Sequence, residues 1–278
     1  MIPHQRFGPA KGIAGALTTA SLLVPAELML RPLARNRKTP LPWIFHRALA
    51  RALGIRITAH GAPVRRHRVL HVANHVSWAD IPVLGARIPG ASFIAKSEVG
   101  GWGMVGKLAD MGRTVYVERA RRLAAPAQRD SIAARLTRGD SLILFPEGTN
   151  SDGVSVLPFK SSLFAVADGV ADLLIQPVTI AYTRVNGLPV TRRNLPDLAW
   201  VGDTELLPHA HALMALGPIR AEIIFHAAIT PSDFTNRKHL ARHCETVISD
   251  GYRRLMRAQL AWPSRAPQAM QNTSTGEQ

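Results

Sequence analysis

Cysteine is almost missing from this sequence, with Cys244 alone among 278 residues. One thiol cannot close an intrachain disulfide or build a cysteine-based metal cluster, and so sparse a use of cysteine agrees with a reducing compartment. Cys244 sits in the polar stretch Arg242-His243-Cys244-Glu245, remote from every motif below, and reads as a structural thiol rather than a nucleophile. No metal site is expected. Aromatic residues are scarce as well, at 6%, with three Tyr and eight Phe. That is poor material for base-stacking platforms, and neither a recognition helix nor a Cys/His finger spacing is visible. Nucleic acid is therefore not the expected partner. Acidic side chains number 19 against 34 basic ones, a formal net charge of +15. Such an excess asks for anionic partners, and anionic lipid headgroups or phosphorylated cofactors fit it best. No internal repeat is present. A charged fraction of 19% with a high aliphatic content excludes a disordered chain.

The N-terminal part supplies what a membrane partner would need. Gly12 to Leu30 is nearly continuous apolar sequence, broken by Thr18, Thr19, Ser21 and Glu27, with Pro25 near its end. Its nineteen residues are just enough to cross a bilayer. No small-residue cleavage site with a polar start follows Leu30, which argues against a secretory signal. Arg31, Arg35, Arg37 and Lys38 come next, and the positive-inside rule places the body of the protein on the cytoplasmic side of the membrane. From Trp43 to Leu53 the apolar residues recur at helical spacing, Ile44, Ala48, Ala52 beside Phe45, Leu49, Leu53, with Arg47 and Arg51 on another face. A basic amphipathic helix next to an apolar one suits the membrane interface. Two ordinary helices covering a core are the plain alternative.

Beyond Arg68, short β-rich runs alternate with helical stretches. Strands are expected at Val69–Ala73, Ser92–Ala95, Thr114–Val117, Ser141–Phe145, Ile175–Ala181 and Glu222–Phe225. Helices are expected at Ile81–Ala86, Gly103–Met111, Ala127–Arg138, Ser161–Val170 and Ala241–Leu260. This alternation predicts an α/β fold, a mixed sheet flanked by helices and preceded by an N-terminal membrane-associating helical segment. The expected divisions are that segment over residues 1–60, a catalytic domain over 61–260 and a disordered tail over 261–278.

Four stretches carry chemistry. In Asn74-His75-Val76-Ser77-Trp78-Ala79-Asp80 an imidazole and a carboxylate follow directly on the apolar run Val69–Ala73. A strand that ends in a polar turn fixes the backbone and leaves side chains free, and His is suited to moving protons near neutral pH. Asp80 is close enough in sequence to hold one ring nitrogen of His75. A buried His beside a helix-capping Asp is the plain alternative. The second stretch, Gly112 to Arg119, ends a strand on a guanidinium whose planar fork suits phosphate, against a surface salt bridge as the alternative. In the third, Phe145-Pro146-Glu147-Gly148-Thr149, Pro146 stiffens a strand exit, Gly148 lets backbone approach a ligand and Glu147 brings a carboxylate. Lys160 follows closely as a further phosphate ligand. The fourth, Ile175 to Tyr182, is an apolar strand expected to shape a pocket wall.

Taken together, these blocks resemble the glycerophospholipid acyltransferase family: N-H-x-x-x-x-D at Asn74–Asp80, an Arg-terminated strand at Arg119, F-P-E-G-T at Phe145–Thr149 and a V-x-I-x-Y-like strand at Val178–Tyr182, in family order. The resemblance spans roughly Arg68 to Tyr182. One departure is that Arg113 stands where the family usually has Gly, which here falls one place earlier, at Gly112. The resemblance implies transfer of a fatty acyl chain from acyl-CoA or acyl-acyl carrier protein, as co-substrate and with no bound cofactor, to the free hydroxyl of a lysophospholipid. His75 and Asp80 would be catalytic, His75 as the base. Arg119, Glu147, Gly148, Thr149 and Lys160 would bind the acceptor. Lysophosphatidate (1-acyl-glycerol-3-phosphate) is the first expected acceptor and lyso-ornithine lipid the second. From another class stands a non-catalytic peripheral protein that binds anionic membranes, which would have no use for the His75/Asp80 pair.

Overall fold

The computed structural model describes residues 8–33, 39–65, 68–117, 125–202 and 204–258. Two helices lead, α1 (Pro9–Leu33) and α2 (Leu41–Ala52), packed against each other. Small residues on α1 permit the contact. A Cβ at Gly15 would lie 3.1 Å from the Ala52 Cβ, and one at Gly12 would collide with Met214. Pro9–Leu30 is long and apolar enough to cross a membrane, with a mean hydropathy of 1.6. Leu17, Leu22, Leu28 and Met29 on it are exposed rather than packed into a core. Arg35, Arg37 and Lys38, which set the expected orientation, lie outside the described residues. On α2, Ala50 is buried and Leu49 packs on the core, whereas Ile44 is exposed.

The chain then runs β1 (Ile55–His60), β2 (Val69–Ala73), α3 (Asp80–Gly85), β3 (Ala91–Lys96), α4 (Gly103–Met111), β4 (Val115–Val117), α5 (Ala125–Thr137) and β5 (Ser141–Leu144). After these come β6 (Leu174–Val185), β7 (Leu188–Pro189), α6 (Leu195–Leu198), α7 (Leu206–Ala215), β8 (Ile219–Phe225) and α8 (Arg237–Ala258). One sheet forms in the order β1-β8-β6-β2-β5-β3-β4, with β7 paired to β6. Pairs are parallel from β6 through β2, β5 and β3 to β4, while β6 and β8 run antiparallel. The sheet is therefore mixed, as the alternation of elements predicts.

Side-chain alternation along the central strands divides the core in two. Leu70 and Val72 of β2, with Leu142 and Leu144 of β5, face a layer containing Ile132, Leu136, Leu240, Cys244 and Ile248. Ala73, Ile143 and Phe145 face the other layer, with Leu53, Val83, Leu84 and Leu213. Both faces of β2 are buried, as the unbroken apolar run requires. Cys244 is fully buried and burial pushes its thiol up to about 12, the environment of an unreactive thiol.

Several expected elements shift. Ile55–His60 is an edge strand paired to β8, so the sheet begins before residue 61. Ser161–Val170 is a 3₁₀ stretch over Ser161–Ala167 rather than an α-helix. The short α6 and the helix α7 have no counterpart in the sequence expectations. The tail over 261–278 lies outside the described residues. For the site, the important register is Val72 opposite Leu144, which brings the C-terminal exits of β2 and β5 side by side. In parallel sheets, ligands are met at that edge.

Candidate active site

Beyond Ala73 the chain leaves β2, and Asn74 ties it down. The Asn74 amide donates to the Ile180 carbonyl at 2.9 Å, and its oxygen accepts from the Ile180 N–H at 2.9 Å. His75 is gripped next. Its N–H donates to Glu147 Oε1 at 2.7 Å, and its carbonyl accepts from Ser151 N–H at 2.7 Å. The backbone of the imidazole-bearing residue is thus fixed from β6 and from the turn after β5 before its side chain makes any contact.

The imidazole lies parallel to the Phe145 ring, with centroids 4.0 Å apart. Its Nδ1 is 2.8 Å from Asp80 Oδ2. The carboxylate takes the ring's N–H at Nδ1, which leaves the Nε2 lone pair unused, and Nε2 has no partner among the described residues. The His75 side chain keeps 17% of its surface exposed and Asp80 keeps none. Asp80 opens α3, where its Oδ2 also accepts from the N–H groups of Val76 at 2.7 Å and Ser77 at 3.0 Å. Its other oxygen, Oδ1, accepts from the Tyr182 hydroxyl at 2.7 Å. A buried carboxylate is tolerable because four donors surround it. Burial first, and then the charge of Asp80, raise the Tyr182 hydroxyl well above its ordinary range, so it stays a donor.

The loops after β2 and β5 are braced from α7 and α8 respectively. Trp78 Nε1 donates to His209 Nδ1 at 2.9 Å, and His209 Nε2 in turn meets the Ala199 carbonyl at 3.0 Å. Tyr252 donates to the Gly153 carbonyl at 2.5 Å.

Glu147 occupies a different place from the open, acceptor-facing one expected of it. It is 2% exposed, and its two oxygens accept from the backbone N–H groups of His75 at 2.7 Å and Leu157 at 2.9 Å. Burial pushes its carboxyl up to about 8, against the pull of those two hydrogen bonds, and the charges of Asp80 and Glu245 add to the rise. Gly148 follows at φ +77, and a Cβ there would come within 2.8 Å of Lys160 Nζ. Any side chain at 148 would therefore have to displace the lysine, besides straining the backbone. Thr149 and Lys160 are exposed beside it. The structure thus gathers His75, Asp80, Glu147, Gly148, Thr149 and Lys160 at one sheet edge, whereas Arg119 lies outside the described residues.

Asn74, Phe145 and Tyr182 complete the site without a role having been expected of them. Asn74 and Phe145 flank the motifs in sequence and were detectable by adjacency. Tyr182 reaches Asp80 from 102 residues away, and only its place in the fourth block pointed to it.

Known proteins match this chain in the same region and beyond it. The family model described as Acyltransferase matches residues 56–181. Lyso-ornithine lipid O-acyltransferase of Brucella abortus (strain 2308) is 44% identical over 243 residues, covering 85% of this chain and 91% of its own length. The protein of the same name from Rhizobium meliloti (strain 1021) is 34% identical, covering 88% of this chain and 84% of its own length. A 1-acyl-sn-glycerol-3-phosphate acyltransferase from Neisseria gonorrhoeae is 38% identical over 139 residues, 49% of this chain and 53% of its own length. Among solved structures, the 1-acyl-sn-glycerophosphate (LPA) acyltransferase PlsC from Thermotoga maritima superposes with a TM-score of 0.55 at 19% identity, covering 90% of this chain and 100% of that one. At that identity the likeness speaks for the fold.

Proposed function

This chain belongs to the glycerophospholipid acyltransferase family, and we propose that it moves a fatty acyl chain from an acyl thioester to the free hydroxyl of lyso-ornithine lipid. The observation that carries the chemistry is the 2.8 Å contact of His75 Nδ1 with the buried Asp80, which leaves the Nε2 lone pair unused on a side chain that keeps 17% of its surface exposed. His75 Nε2 takes the acceptor's hydroxyl proton as that oxygen attacks the thioester carbonyl. The tetrahedral intermediate then expels the thiolate, the C–S bond breaks, and His75 returns its proton to the departing sulfur. Asp80 stabilises the imidazolium in between and holds the ring in one tautomer. A base of this kind contributes roughly 10²–10⁴ in rate. No enzyme nucleophile is involved, in keeping with the burial of Cys244.

Glu147 is a positioning residue in this scheme, since its contact is with the His75 backbone. Arg119, Gly148, Thr149 and Lys160 receive the acceptor's polar end, and the donor is acyl-CoA or acyl-acyl carrier protein. The protein is held at the cytoplasmic membrane by α1, with the sheet domain on the cytoplasmic side. Anionic lipids attract its basic surface.

Lyso-ornithine lipid replaces lysophosphatidate as the first acceptor because the relatives named for it match over 75% to 91% of their own length. Lysophosphatidate is the second reading, supported by relatives matched over about half of theirs. The test is incubation of the purified full chain with labelled acyl thioester and each lysolipid, the products being identified by mass. Diacyl ornithine lipid as the main product supports the first reading. Phosphatidate as the main product replaces it with the second, and no acylated product from either acceptor removes both.

A further inference from the structure

A polar cavity of about 150 Å³ lies beneath the α1–α2 hairpin, far from the reacting edge. Ala91 on its wall opens β3, and Arg113 precedes β4, whereas His75 follows the end of β2, a strand of the same parallel set. The cavity therefore sits at the opposite edge of the sheet.

Its lining is unusual for the underside of an apolar helix. Glu27, on α1, is 4% exposed, and among the described residues it is met only by the Thr39 hydroxyl. His46 makes no hydrogen bond among the described residues, and its Nδ1 is buried without a partner. Burial lowers His46 to about 4, so the ring is a neutral acceptor at physiological pH. Arg113 forms no ion pair among the described residues. Its backbone is held at φ +57, and its carbonyl accepts from Arg135 Nη1 at 3.1 Å.

Among the described residues the buried Glu27 carboxylate is met by one hydroxyl and is short of donors, and the neutral His46 imidazole can accept one N–H. What completes both is a cation bearing several N–H groups, and a primary ammonium has three. Arg113 asks for the opposite charge on the same wall. A ligand with both features, small enough for this cavity and delivered where α1 exposes Leu17, Leu22 and Leu28, is a zwitterionic lipid headgroup. We propose that this cavity binds an aminolipid headgroup, the primary ammonium on Glu27 and His46 and the anionic group on Arg113. At the edge opposite His75 such a lipid takes no part in acyl transfer. It fastens the α1–α2 hairpin to the sheet and makes the protein's stability respond to bilayer composition.

Two sources share this chemistry, phosphatidylethanolamine with a phosphate and ornithine lipid with a carboxylate. The test is thermal unfolding of the full chain in phosphatidylcholine vesicles as either aminolipid replaces part of the phosphatidylcholine. Choline is the informative reference because its quaternary nitrogen has no N–H to donate. The wild type should gain about 3 °C or more in Tm with at least one aminolipid. Glu27→Gln should lose most of that gain, and the aminolipid that gives the larger gain identifies the preferred anion. No gain over phosphatidylcholine overturns the proposal. So does an equal gain in wild type and Glu27→Gln, which would be a general bilayer effect. If Glu27→Gln does not fold, Arg113→Gln provides the same comparison, and a full gain in that variant is equally contradictory. No acyl donor is present in these measurements, so they are independent of the transfer reaction.

Discussion

The Tyr182 hydroxyl donates to Asp80 Oδ1 at 2.7 Å, while Oδ2 of the same carboxylate meets His75 Nδ1 at 2.8 Å. The tyrosine and the imidazole hold different oxygens, so one contact fixes the plane of the carboxylate without competing with the other. A strand that its sequence recommends only as a pocket wall therefore braces the site from behind.

Tyr182→Phe removes that donor and leaves a fully buried oxygen unsatisfied. The expected loss of stability is about 1–3 kcal/mol. Turnover should fall more than acceptor KM changes, because the tyrosine acts through Asp80 rather than on the lipid. Urea unfolding and steady-state kinetics on the same preparation check both parts. Unchanged stability and turnover would show that the hydroxyl positions nothing.

Glu147 should imprint itself on the pH dependence of stability. Its folded carboxyl is raised to about 8 from 4.5, so the folded protein keeps a proton that the unfolded chain releases. That contribution is fully present below about pH 4.5 and is lost as pH rises through 8. His46, His71 and His226, each lowered by burial from 6.5 to about 4, act in the opposite sense, and their contribution is complete by about pH 6.5. Between pH 6.5 and 8 the wild type should therefore lose stability in urea titrations, and Glu147→Gln should lose distinctly less. Parallel curves for the two proteins would contradict this.

Attachment to the membrane should survive high salt. In the proposed arrangement lipid buries the exposed apolar side chains of α1, and salt does not screen that burial. Sedimentation of the full chain with vesicles at low and high ionic strength checks it. Release by salt alone would mean that the basic surface, rather than α1, holds the protein to the bilayer.

Much of the site was legible because its parts are local. The run Val69–Ala73 reads as a buried strand, and the polar turn after it carries His75 and Asp80 within five residues, a distance over which one helix start can bring them together. The membrane-sized helix was legible from its apolar length. Glu147 shows the limit of this kind of reading. A Glu in a Pro-Gly turn looks free to meet a ligand, but the parallel pairing of β2 with β5 points it at the His75 N–H instead. Ile55–His60 alternates apolar and polar residues as an edge strand should, yet its partner β8 lies more than 150 residues on, and no local signal announces the pairing. The departure at Arg113 resolves in a similar way. The left-handed residue of that turn is Arg113 itself, at φ +57, while Gly112 takes an ordinary conformation.

In the proposed mechanism His75 acts as the base and Asp80 works through it. Single-turnover and steady-state kinetics of His75→Ala, Asp80→Asn and the double variant, with an acyl thioester donor and circular dichroism to verify folding, test that claim directly. His75→Ala should lose roughly 10²-fold or more in turnover while keeping its fold and its vesicle binding. Asp80→Asn should also be severely impaired, since an amide can hold the ring but cannot stabilise its charge. The double variant should be little worse than His75→Ala alone, because an orienting residue has no task once its base is gone. Full turnover by folded His75→Ala would contradict the mechanism and leave a membrane-binding protein as the better description of the chain.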